Sequence, residues 1–276
     1  MNKNLITNLL HNCLLLMMLF IVTEVACKEF DLQKKHASLS PEQPFAYFDL
    51  DLSQEDLQIL QSLIIKKTDK PNKPTVLNYY GDLAEFQCKV VEFLQLLGNS
   101  EADSLVAAEI IHRIVNNCLS SLNLQDAWVA IQAFEPNDVY DIARWHIDSE
   151  RLYKINSGFL YKIVCALKGD STLLCNAPKI ARHEFLKMLS KKYSDPKGQQ
   201  GYQMRKDIAK LLQIYEIQSA QPGQGTVFIM GCESTGAIHS EPAIDKERIF
   251  MSIIPGTHEQ IQELYKKWHY IIASRF

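Results

Sequence analysis

No two of the seven cysteines in this 276-residue chain stand as a C-x-x-C pair, which excludes a zinc ribbon, and the cysteines are too sparse for a disulfide scaffold. Neither G-x-x-x-x-G-K-[ST] nor G-x-G-x-x-G is present, so classical nucleotide binding has no support. A surplus of basic charge is missing too: 29 Lys and Arg against 32 Asp and Glu leave a net charge of -3. That balance argues against a chain built mainly to hold nucleic acid. There is no Gly-X-Y period, heptad array or longer internal repeat. What the chain does have is a hydrophobic fraction of 47% with 22% charged residues, ordinary for a globular protein of one or two domains.

Residues 1–27 carry one early charge, Lys3, and an unbroken apolar run from Cys13 to Val22. That run suits the core of a signal peptide better than a spanning helix, which needs roughly 20 residues. Val25-Ala26-Cys27 offers small residues for a cut after Cys27. An uncleaved membrane anchor and a buried helix are the other readings. A functioning segment would make the protein exported, periplasmic or membrane-anchored, with possible membrane association through the N-terminus; otherwise it is cytoplasmic.

Residues 28–125 read as an N-terminal helical region. Positions 28–44 are polar and Pro-punctuated, like a linker. Ser53-Gln-Glu-Asp56 resembles a capping box opening a helix to about Lys67. A second helix spans about Asp82 to Leu97, with Leu83, Phe86, Val90, Phe93 and Leu97 on one stripe and Gly98 closing it. A third follows Ser100. From 126 to 276 the character changes. AWVAIQAF (127–134), RWHID (144–148), FLYKIVCAL (159–167), STLLC (171–175), GTVFIM (225–230), 237–240 and IFMSII (249–254) read as short strands between Gly/Pro turns. Such a series predicts a sandwich, jelly roll or barrel, an α+β fold with its helices outside. Positions 178–216 form a helical insertion with nine Lys and Arg against four Asp and Glu. It reads as a solvated helix pair, or as a cover over a site that meets an anion. A last helix begins at Thr257 and packs on the outside of the sheet.

The chemistry centres on His146-Ile-Asp148. In a strand, i and i+2 share a face, so His146 and Asp148 project together beside Arg144, while Trp145 and Ile147 turn toward the helices. An H-x-D tripeptide arises by chance often enough to need support. His239, in GAIHSEP, and Arg248, nine residues later, supply it. Arg248 opens an apolar strand and shares a face with Phe250 and Ser252. A guanidinium in that position wants a carboxylate.

His146-x-Asp148, a distant His239 and Arg248 together resemble the iron(II)- and 2-oxoglutarate-dependent oxygenases, over about residues 126–255. The resemblance implies a double-stranded β-helix, a jelly roll. It implies an iron(II) site on His146, Asp148 and His239, and two His with one carboxylate leave three positions open. It implies 2-oxoglutarate as co-substrate, with Arg248 holding its far carboxylate and Tyr161, thirteen residues after Asp148, as a helper hydroxyl. Lys162 points the other way from Tyr161. Some family members pair the Arg with a Ser at i+2; here that position is Phe250. Dioxygen and an unidentified substrate complete the expected partners.

Two readings compete. His239-Ser-Glu241 is itself an H-x-E pair, but no suitable His or Arg accompanies it. Alternatively, the chain is a non-catalytic jelly-roll binding protein with a degenerate metal site. His112, His183 and His269 sit in helical patterns, and Cys165 and Cys175 read as buried apolar residues.

Overall fold

The computed structural model describes residues 31–67, 73–138, 141–148, 160–191, 198–231 and 235–273. The apolar N-terminal segment lies outside them. The chain divides after Asp31, and the elements below all belong to the unit that follows. Among the described residues, no helix is long and apolar enough to cross a membrane.

Four helices come first: α1 (Leu32–Ala37), α2 (Gln54–Ser62), α3 (Phe86–Leu96) and α4 (Glu101–Ser121). The α2 start is a capping box. The Asp56 amide donates to the Ser53 hydroxyl at 3.0 Å, and the Ser53 amide donates to the Asp56 carboxylate at 2.8 Å. Each bond satisfies a backbone N–H that the first turn would leave open. Ser100 caps α4 with its side chain, accepting from the Asp103 amide at 3.1 Å. The stretch read as a linker holds α1, anchored by the fully buried Leu32.

The N-terminal region is not helical throughout. It also contributes β1 (Phe45–Asp49) and β2 (Thr75–Gly81). The remaining strands are β3 (Asp126–Phe134), β4 (Leu160–Lys168), β5 (Leu173–Cys175), β6 (Ile217–Ser219), β7 (Gln224–Met230), β8 (Ile238–Ser240) and β9 (Arg248–Gly256). They form a six-stranded sheet ordered β1-β7-β4-β9-β3-β2 and a three-stranded sheet ordered β6-β5-β8, and every pairing is antiparallel. The segment around His146 extends the small sheet through a bridge to His239. It is a single bridge rather than the full strand that the RWHID pattern predicts.

From β3 onward the chain alternates between sheets: β3 in the large one, His146 in the small, β4 large, β5 and β6 small, β7 large, β8 small, β9 large. That winding is a double-stranded β-helix, and the fold is α+β. Leu174 of the small sheet shares one apolar cluster with Val164, Phe228, Met230 and Ile254 of the large sheet, so these side chains fill the space between the sheets. Each fully buried side chain of this size is worth about 1.5–3 kcal/mol relative to exposure.

The outer faces are covered by helices. α1, α2 and α3 pack on β1, β4 and β2 respectively. The insertion forms α5 (Lys179–Ser190) and α6 (Gln199–Leu212), which bury Phe185, Ile208 and Leu212 against Trp145, Cys175 and Ile238 of the small sheet. Trp145 therefore turns toward helices, as its place beside His146 predicts. The last helix, α7 (His258–Ala273), packs Ile261, Leu264 and Trp268 with Trp128 and Ile254. It lies on the inner face of the large sheet, the face of Phe228, and not on the outside as the sequence pattern predicts.

Candidate metal centre

His146 and His239 stand directly opposite one another. The His146 amide donates to the His239 carbonyl at 2.9 Å, and the His239 amide returns the bond at 3.0 Å. Such a doubly bonded antiparallel pair sends both side chains to the same face. The rings meet with centroids 4.3 Å apart. Asp148, two residues past His146, follows to that face, and its carbonyl accepts from the Gly231 amide at 3.0 Å.

Backbone carbonyls orient both rings. His146 Nδ1 lies 2.8 Å from the Arg144 oxygen, and His239 Nδ1 lies 3.0 Å from the Ala237 oxygen. A carbonyl only accepts, so both Nδ1 atoms donate and both rings turn Nε2 inward. Each Nε2 lies 3.7 Å from the same atom, Asp148 Oδ1. The three donor atoms all fall within 4.8 Å of one another. Facial ligands with bonds of about 2 Å sit about 3 Å apart, so each imidazole nitrogen must close by about 0.7 Å on Asp148 Oδ1 to grip an ion.

Electrostatics favour the ligand forms. Burial, then the neighbouring His146, push the His239 pKa well below the usual histidine value, which keeps a lone pair on Nε2. Burial alone would raise the Asp148 pKa. The Lys162 ammonium, followed by the two imidazoles, outweighs it and holds the carboxyl far below the ordinary aspartate range.

Lys162 is the residue that sequence reasoning missed. Its Nζ lies 3.1 Å from Asp148 Oδ2. It sits opposite Phe228 on β7, whose ring packs 4.8 Å from that of His239, so Lys162 faces the space between the sheets. Strand alternation then sends Tyr161 to the other face, where its ring meets His36 of α1 at 3.9 Å. The expected helper role of Tyr161 is therefore corrected: it lines a cavity of about 290 Å³ with Gln33, His36 and Gln260, on the opposite side of the sheet from the triad.

Arg248 lies at the start of β9, opposite Phe134, and is only 2% exposed. Its guanidinium carbon lies 4.5 Å from the Phe250 ring centre, and Nε donates to the Asp170 carbonyl at 2.8 Å. Register puts it on the face of Ser252 and Val164, hence of Lys162. A tight turn holds this end of the strand. Gly169 has a φ of +79°, and a Cβ there would lie 2.7 Å from the Glu247 carbonyl. On the same inner face, Thr226 pairs with Tyr47 on one side and Val164 on the other. The Thr226 and Tyr47 hydroxyl oxygens are buried and have no hydrogen-bond partner within the protein. The buried Arg248 guanidinium fits an entering carboxylate, while the two orphaned hydroxyls lie on the same face in the row of Ser252, four residues along and two and three strands away.

Among the described residues, His146 is the triad member that borders a cavity. A cavity of about 330 Å³ runs beside His146, lined by Arg144, Trp145, Met204, Arg205, Ile208 and Glu241 among others. Its wall on α6 comes from the insertion. Glu241 belongs to this rim, and the H-x-E alternative gains no third ligand among the described residues.

No family model matches the sequence, and no curated protein matches it. Solved structures do. A prolyl-4-hydroxylase from Pseudomonas putida is 11% identical, with a TM-score of 0.38 over 82% of this chain and 99% of that one. A viral collagen prolyl hydroxylase from Paramecium Bursaria Chlorella virus-1 is also 11% identical, with a TM-score of 0.37 over 76% and 94%. A non-heme alpha ketoglutarate dependent carbocyclase from nogalamycin biosynthesis is 9% identical, with a TM-score of 0.41 over 82% of each chain. At such identities and scores the likeness carries no functional argument. Strand order and side-chain geometry define the class: a double-stranded β-helix with two histidines and an aspartate converging inside it.

Proposed function

We propose that the protein is an iron(II)- and 2-oxoglutarate-dependent dioxygenase that oxidises an unidentified substrate, by hydroxylation in the simplest case. One observation carries this reading: both Nε2 atoms face a single oxygen of Asp148, each imidazole being fixed from behind by a carbonyl. Two His and one carboxylate with open positions are the mark of non-haem iron(II) oxygenases. Bound iron and co-substrate would supply dioxygen activation, coupled to decarboxylation of 2-oxoglutarate to succinate.

The chain's own residues then have distinct tasks. His146, Asp148 and His239 hold the ion. Arg248 receives the distal carboxylate of the co-substrate. The apolar wall of Phe228 and Val164 keeps bulk water from the interior, which strengthens every charge interaction there. The substrate approaches along the cavity beside His146. Purified protein supplied with iron(II), 2-oxoglutarate and dioxygen is expected to release succinate, and to release none when iron or dioxygen is withheld.

A second reading has one observation in its favour. Lys162 already neutralises Asp148, so the polar cluster is satisfied without an ion, as a jelly-roll binding protein with a degenerate site would require. Protein that folds but takes up no iron(II) would select it.

A further inference from the structure

We infer that Lys162 is a positioning residue that fixes Asp148 as a ligand through one oxygen only. This rests on the reading of the triad as a metal centre. A carboxylate beside an ion has two oxygens to offer. If both bind, the ligand fills two coordination positions and one fewer remains for the reaction. Here the oxygens have separate partners. Oδ1 faces both imidazole nitrogens at 3.7 Å, while Oδ2 is held by the Lys162 ammonium at 3.1 Å. To chelate, Asp148 would have to break a charge-assisted hydrogen bond at a site where both side chains are largely buried, 14% and 17% exposed.

Lys162 is well placed to resist that change. It lies in β4, which pairs with β7 on one side and β9 on the other, in the middle of the large sheet. Opposite it stands Phe228, packed on His239. One pair of strands thus braces two members of the triad: β4 holds the Asp148 carboxylate through Lys162, and β7 backs the His239 ring through Phe228. The ammonium also compensates the carboxylate before an ion arrives, so the ligand is set in advance.

Cobalt(II) reads this directly, because its visible absorption reports coordination number. The full-length chain is titrated with cobalt(II) alone, then with 2-oxoglutarate at saturating cobalt. Lys162→Met is expected to weaken cobalt binding about 10- to 100-fold and to change the absorption envelope. Lys162→Arg, which keeps a charged donor on Oδ2, is expected to recover most of the affinity and the wild-type envelope. Circular dichroism and a thermal melt check the fold. If Lys162→Met does not fold, Lys162→Gln takes its place: a neutral donor should keep the wild-type envelope, and an altered one overturns the inference.

Other results overturn it as well. Unchanged or tighter cobalt binding by Lys162→Met, with an unchanged envelope, makes Lys162 a competing cation. Unchanged cobalt binding with weakened 2-oxoglutarate binding assigns it to the co-substrate. Wild-type protein that binds no cobalt removes the metal reading itself, a failure distinct from a wild type that binds and a variant that binds equally well.

Discussion

His146 and His239 lie more than ninety residues apart in the chain, yet each donates its amide to the other's carbonyl, at 2.9 and 3.0 Å. The ladder of the small sheet, not side-chain attraction, therefore brings the two rings together. Their backbone alignment should survive changes to either side chain, which makes ligand substitutions clean experiments.

Replacing either histidine should remove metal binding without unfolding the protein. His146→Ala and His239→Ala are each expected to lower iron(II) or cobalt(II) affinity by at least about 100-fold, given that loss of an outer-shell partner alone costs 10- to 100-fold. His239 is 6% exposed, so its variant should also lose more stability than His146→Ala. Metal titration and thermal melts on the same samples measure both effects.

Arg248 should separate co-substrate binding from metal binding. Arg248→Met preserves bulk against Phe250 and Phe134 but deletes the cation. Iron affinity is expected to stay within about threefold of wild type, while 2-oxoglutarate affinity falls at least tenfold, a loss of about 1.4 kcal/mol. The Asp170 carbonyl loses its donor, adding a stability cost of about 1–3 kcal/mol. Calorimetric titration of the metal-loaded protein with 2-oxoglutarate reads the binding term.

The start of α2 should give the protein an acid-sensitive contact. Partial burial pushes the Asp56 carboxyl up, but hydrogen bonds from Arg113 and Ser53 push harder the other way, so its pKa in the folded protein lies below the ordinary value. A depressed carboxylate contributes stability that is fully present above the unfolded pKa of about 3.9 and is lost as pH falls through the folded value. Asp56→Asn is therefore expected to lower the melting temperature at pH 7, and the gap to wild type should close below about pH 4. Ser53→Ala should cost about 1 kcal/mol. Melts of the three proteins from pH 3 to pH 8 test this.

Thiol reactivity should follow burial. Cys88 is exposed, whereas Cys118, Cys165 and Cys175 are buried. Burial pushes the Cys165 thiol up to about 12 and the Cys175 thiol up to about 11, which suppresses the reactive thiolate. At pH 8 a thiol reagent is expected to modify Cys88 quickly and these three only after denaturation, as peptide mass analysis would show.

Much of this architecture was legible in the chain. The capping pattern at Ser53, the stripe through Phe86 and Phe93, and the short apolar runs at β3, β4, β7 and β9 all appear where local physics puts them. His146, Asp148 and His239 could be read because an i, i+2 pair in extended chain fixes its own geometry. Lys162 could not be assigned a face in the same way. FLYKIVCAL is apolar nearly throughout, because β4 is central and covered on both sides, so it lacks the alternation that tells inside from outside. Pairing with β7 supplies the missing parity, turning Lys162 in and Tyr161 out. The strands β1 and β2 are illegible for another reason. They lie among helices in sequence and join the sheet only at its edges, a tertiary choice that the local pattern does not record.

Anaerobic equilibrium dialysis against iron(II) tests the central claim most directly. Wild-type protein should bind one iron per chain, and His239→Ala, equally well folded, should bind none. Folded wild-type protein that retains no iron above the His239→Ala background would contradict the account.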